Sequence, residues 1–255
     1  MIMRTLSVKR LLIALVAAPL ATLALLTGAQ ASEEGYRLDP APIDHNDLAS
    51  LQSGARTFVN YCLNCHGAQY MRYNRLEELE LTPQQIQDNL MFASDKIGTT
   101  MTVAMTEAEG KQWFGVPPPD LSVIARYRGA DWLYTYLRTF YRDPKTTTGW
   151  NNAVFPTVAM PHVLWTLQGQ RALDVVKSEE DGHEAVSYKW RQLTPGEETP
   201  VQYDTTVRDL VNYLVYVSEP AAVERKRIGI VVLFVLGILF IFAYWLKKEF
   251  WKDVH

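Results

Sequence analysis

The chain has 255 residues, 48% hydrophobic and 21% charged, so it is long enough to bury a core and too apolar to be a disordered tail. A net charge of −3 excludes a generic nucleic-acid binder, and two cysteines exclude a disulfide-rich scaffold. The charge is uneven: residues 32–224 carry 16 basic and 26 acidic residues, a balance of −10, between two cationic, apolar ends.

Residues 1–31 read as a cleavable signal peptide. Arg4, Lys9 and Arg10 precede the apolar run Leu11 to Leu26, and Ala29-Gln30-Ala31 is a small-x-small cleavage site. An uncleaved anchor is the alternative. Cleavage makes Ser32 the first residue and places residues 32–224 outside the cytoplasmic membrane. Asp47 is positioned to cap a helix, with Leu48, Leu51, Ala55, Phe58 and Val59 on one face.

That helix runs into Cys62-Leu63-Asn64-Cys65-His66, which contains both cysteines. The spacing C-x-x-C-H is that of covalent c-type haem attachment. Two thiols at i and i+3 on a helical turn reach the two vinyl groups, and the next residue offers an imidazole to the iron. A disulfide and a redox dithiol are the competing readings of the pair, but the dithiol favours a βαβ setting that is missing here. Zinc needs two further ligands nearby. One motif implies one haem c.

Further along, Thr82-Pro83-Gln84-Gln85 has the form of a capping box with proline at the first helical position, opening a helix to about Phe92. Pro117-Pro118-Pro119 is an extended, rigid run. Asp120 then suits the cap of a short helix through Arg126, and Asp131 the start of another with Leu133, Leu137 and Phe140 inward. Arg126 and Arg128 lie about 200° apart on a helix, so one of them can face a haem propionate. Val186, Tyr188 and Trp190 alternate with polar residues as in a strand, predicting a hairpin with part of 163–176. Gly182-His183 and Pro195-Gly196 read as exposed loops. Val207, Leu210, Val211 and Leu214 mark a last soluble helix that Pro220 stops.

A haem electron carrier needs a second axial ligand. Met71 is too close to the attachment turn, and Met91, Met101 and Met105 lie in a featureless stretch. Met160 sits in an apolar loop with Pro156 and Pro161 around it, stiff enough to hold a weak thioether. Met160 is the favoured ligand and His162 the second candidate.

Ile228 to Leu246 is nineteen residues without a charge, about 28 Å as a helix, with Tyr244, Trp245 and Trp251 where an interfacial belt belongs. Residues 225–255 therefore read as a C-terminal transmembrane anchor with a short cytoplasmic tail.

The ordered set of motifs resembles the cytochrome c1 family of bacterial type. It comprises Cys62-Leu-Asn-Cys65-His66, Pro118-Pro119-Asp120-Leu121-Ser122 with Arg126-x-Arg128, Phe155-Pro156, and Ala159-Met160-Pro161. Tyr203-Asp204, Val207-x-Asp209-Leu210-Val211 and Ser218-Glu219-Pro220 before a terminal anchor complete it. The resemblance implies a mainly α, class I-like cytochrome c domain with extra loops and a small β-hairpin. It makes His66 and Met160 the axial ligands, lines the haem with Pro118, Pro119 and Ile124, and makes Arg128 the propionate arginine. Trp132 stands where the family has a tyrosine, and Phe155 lies in a shared motif. His162 stands where the family often has proline, which leaves room for a replacement ligand.

The resemblance further implies a non-enzymatic redox subunit of the cytochrome bc1 complex, the quinol–cytochrome c reductase of the respiratory chain. Its partners are cytochrome b and a Rieske iron–sulfur protein in a dimeric complex, and its acceptor is a soluble c-type cytochrome. The acidic domain suits steering of a basic carrier. The competing readings are another membrane-anchored monohaem cytochrome feeding a terminal oxidase or reductase, and a haem enzyme such as a peroxidase.

Overall fold

A computed structural model describes residues 36–253 apart from residues 104, 181 and 182, with the side chains of 177–186 left out. The expected signal peptide lies outside the described residues. The fold is mainly helical with small antiparallel sheets.

The first helix, α1 (Leu48–Thr57), starts where Asp47 accepts a hydrogen bond from the Ser50 amide. It continues as a π-helical turn, Phe58–Cys62, which delivers the cysteine motif. Thr82 and Gln85 form the expected capping box of α2 (Pro83–Leu90), which ends two residues before Phe92. Then follow α3 (Glu107–Phe114), α4 (Ile124–Arg128), α5 (Ala130–Arg138), α6 (Trp165–Gln168), α7 (Pro200–Ser218) and α8 (Ala222–Phe250).

Asp120 does not cap α4. Its two carboxylate oxygens accept from the Ser122 and Gln69 amides, so it closes a turn and ties that turn to the segment after His66. Asp131 lies in the first turn of α5 rather than at its cap, and it accepts from the Ala41 amide at 2.7 Å.

Helix α7 is the spine of the core. Val207, Leu210, Val211, Tyr213 and Leu214 are buried against Leu51, Ala55 and Phe58. Burying a side chain such as Phe58 completely contributes about 2 kcal/mol. The helices approach so closely that a Cβ on Gly54 would lie 2.0 Å from the Asp209 carbonyl oxygen, which only glycine allows. At the other end Tyr203 donates to the Leu137 carbonyl at 2.9 Å. Arg138 donates to both Asp204 oxygens at 2.6 and 3.0 Å and to Asp39 at 2.7 Å.

The long hairpin is present: β5 (Gln170–Glu180) pairs antiparallel with β6 (His183–Thr194), Trp190 opposite Leu173 and Tyr188 opposite Val175. Its first strand begins within the predicted 163–176 and runs on to Glu180, and His183 belongs to a strand rather than a loop. Two smaller sheets were not expected from the sequence. Strand β1 (Ala68–Arg72) pairs with β2 (Thr100–Met101), and β3 (Phe140–Arg142) with β4 (Trp150–Asn152).

Among the described residues, α8 is the one helix long and apolar enough to cross a membrane, and its apolar window is wholly unburied. That separates it from the core helix of a soluble protein, which would be covered.

Candidate haem site

The Cys62 carbonyl accepts from both the Cys65 and His66 amides, at 3.0 and 2.8 Å. This tight turn, which follows the π-helical segment, presents the two thiols and the imidazole from one short stretch. No disulfide joins the two cysteines. Cys62 is buried, and burial with Cys65 beside it pushes its thiol up to about 12; burial also raises Cys65.

The His66 Nδ1 lies 2.8 Å from the Pro119 carbonyl oxygen. A carbonyl only accepts, so Nδ1 carries the proton and Nε2 is left with its lone pair. Burial holds the imidazole below its usual pKa, opposed by the Pro119 carbonyl and by Asp120. A neutral imidazole with one nitrogen tied is the state in which histidine ligates metal.

An apolar cleft opens beside this turn. Its walls are Tyr61, Cys62, Cys65 and His66 from the attachment turn, Phe114 and Val116 to Pro119 around the proline run, and Ala159 to Pro161 with Val163. Pro118, Pro119 and Met160 thus meet the cysteine motif at one cleft. The donor set fits a covalently attached haem. Among the described residues, no group of three or more His, Cys, Asp or Glu side chains is arranged to hold a metal ion directly, which speaks against zinc.

The methionines separate cleanly. Met71 and Met101 are buried in the core, and Met101 accepts a hydrogen bond from the Tyr213 hydroxyl. Met91 packs in the core as well, and neither it nor Met105 lines the cleft. Met160 alone does.

His162 is not placed to replace it. It is 2% exposed, stacks on Phe140 at 4.8 Å with rings 3° from parallel, and meets the Trp150 edge at 5.2 Å. Its Nε2 lies 2.8 Å from Gln168 Oε1, and burial pushes its pKa down to about 3. The residue two positions beyond Met160 belongs to the core, which corrects the expectation of a replacement ligand.

The remaining predicted residues form a second group beside the cleft rather than its lining. The Arg128 guanidinium lies over the rings of Trp132 at 4.8 Å, Tyr127 at 4.9 Å and Phe155 at 5.6 Å. Trp132 stacks on Tyr136, and the Tyr136 hydroxyl donates to Met160 Sδ at 3.4 Å. Ile124 packs on the core, Arg126 is exposed, and neither lines the cleft. Tyr136 was missed in the sequence, where a tyrosine on the inward face of a helix reads as core. Tyr61 and Pro117 were missed as well, although each adjoins a residue of a recognised motif.

The cytochrome c1 family model matches residues 40–112 and 93–254. Cytochrome c1 of Allochromatium vinosum is 49% identical over 239 residues, covering 92% of this chain and 98% of that protein. A Nitrosomonas europaea protein named ammonia monooxygenase gamma subunit is 48% identical, covering 97% of this chain and 99% of its own. Cytochrome c1 of Rhodospirillum rubrum is 28% identical over 94% of this chain and 97% of that protein.

Proposed function

The chain belongs to the cytochrome c1 family, and from that premise we propose that it relays electrons through one haem c held by Cys62, Cys65, His66 and Met160. Family members carry one covalently bound haem c and serve as the electron-transfer subunit of the membrane-bound bc1 complex. The haem supplies a one-electron iron couple.

The chain's own residues do the rest. The two cysteines would anchor the group as thioethers. His66 offers Nε2, oriented by its hydrogen bond to Pro119. Met160 contributes a thioether, which raises the potential relative to a second histidine. The proline run and Val163 exclude water. Arg128, held flat by Trp132 and Phe155, supplies a cation for a propionate.

In this reading the chain takes its electron from a Rieske iron–sulfur protein and delivers it to a soluble c-type cytochrome. Cytochrome b is the membrane partner, the complex is a dimer, and the haem domain is periplasmic, anchored by residues 225–255 after removal of residues 1–31. The observation that carries the reading is the convergence of the attachment turn, the proline run and Met160 on one apolar cleft.

Isolation in mild detergent tests it. The chain should co-purify with a multi-span cytochrome b and a Rieske protein, and its haem should resist acid-acetone extraction. Co-purification with ammonia monooxygenase subunits instead, as the name of the Nitrosomonas relative suggests, or extractable haem, would overturn it.

A further inference from the structure

Tyr136 is buried on α5, and its hydroxyl donates to Met160 Sδ at 3.4 Å across 24 residues of sequence. The ring is fixed from two directions. Trp132 stacks on it at 4.6 Å and 12°, and Phe140 meets it edge-on at 5.0 Å and 69°. The loop that leads to Met160 is tied to the same turn of helix by Asn152, which is fully buried. Its Nδ2 donates to the Tyr136 carbonyl at 2.7 Å, while its Oδ1 accepts from the Val154 and Phe155 amides at 2.9 and 3.1 Å.

The arrangement constrains the sulfur. A thioether has two lone pairs and is a weak acceptor. A phenol aimed from a rigid helix occupies one and leaves the other for a metal. We propose that Tyr136 is the positioning residue for Met160: its O–H fixes the rotation of the sulfur and weakens its donation, so that the reduced iron is favoured. The proposal rests on Met160 being the axial ligand. Its physical basis is that ferric iron gains more from ligand donation than ferrous iron does, so density drawn from sulfur costs the oxidised form more. Hydrogen bonding to a ligand is a recognised means of tuning a metal site.

The test uses the full-length haem protein in detergent. Tyr136→Phe keeps the ring and its stacking and removes only the hydroxyl. The near-infrared sulfur-to-iron band should persist, showing Met160 still bound. The ferric-to-ferrous ratio at a fixed ambient potential should rise about threefold, and added imidazole should displace Met160 more slowly from the oxidised protein. Tyr203→Phe is the control: it removes a buried hydroxyl bonded to the Leu137 carbonyl. It should lower stability while moving neither the ratio nor the displacement rate.

An unchanged ratio and displacement rate in Tyr136→Phe would overturn the proposal, as would equal shifts in both variants. Absence of the near-infrared band from the unmodified protein is a different failure. It would remove the Met160 ligand itself and the proposal with it.

Discussion

The His66 imidazole and the Pro119 carbonyl, 53 residues apart in sequence, are joined by a 2.8 Å hydrogen bond. The bond depends on a strap around it. The Leu121 amide donates to the Gly67 carbonyl at 2.7 Å, and the Gln69 and Ser122 amides donate to the Asp120 carboxylate at 2.9 and 2.8 Å. The proline run is thereby laid against the attachment turn, and the orientation of the histidine follows.

Asp120→Ala should therefore cost about 1–2 kcal/mol, since two amides lose their acceptor in a partly buried place. Thermal unfolding of the haem-loaded protein measures it. Asp120→Asn should recover part of the loss, because one amide oxygen can still accept. Equal stability of Asp120→Ala and the parent would show that the carboxylate does not hold the strap.

Deleting the chain from Ile228 onward should release a soluble domain that still takes up haem. The described core ends with Val217 and Ala222, and no described residue after Ala222 is buried. The truncation removes the apolar helix and leaves the core intact. Its partition between supernatant and membrane after expression is the readout. A truncated domain that stays with membranes stripped of partner proteins would reveal a second membrane contact.

Transfer to the soluble acceptor should slow as salt rises through the physiological range. Residues 32–224 carry a surplus of ten acids, a field that steers a basic partner and is screened within about 8 Å at physiological ionic strength. Stopped-flow rates against a basic cytochrome c measure the slope. A flat profile would mean that docking is apolar.

What the sequence disclosed depended on how local each feature is. The Thr82–Gln85 box, the Asp47 cap and the cysteine turn involve residues within four positions of one another, so chain order alone specifies them. Asp120 was misread because a carboxylate that closes a turn has the same local context as one that caps a helix. What distinguishes them is the Gln69 amide, 51 residues away. The short sheets were hidden for a similar reason: β2 is two residues long, too brief for any alternation to show. At the site, Met160 could be favoured from its proline-flanked loop. The fate of His162 could not, because its cage is built from Phe140, Trp150 and Gln168, brought together only by the fold.

That cage changes what loss of Met160 should do. Met160→Leu should abolish the near-infrared band near 695 nm and lower the potential, because a thioether favours ferrous iron more than water or imidazole does. The fold should survive, since leucine nearly conserves the volume and such swaps cost under about 1.5 kcal/mol. A histidine two residues away invites the thought that it swings in to give a bis-histidine haem. It would have to leave its stack on Phe140 and its bond to Gln168 and drag Pro161 with it. The single variant should then bind water or an added ligand rather than His162. Adding His162→Ala should leave its haem spectrum unchanged while costing about 2 kcal/mol from the cavity left behind. Electron paramagnetic resonance of the oxidised variants separates the outcomes. A bis-histidine signal in Met160→Leu that disappears on adding His162→Ala would show that the cage opens. A 695 nm band that persists in Met160→Leu would instead remove Met160 from the iron altogether.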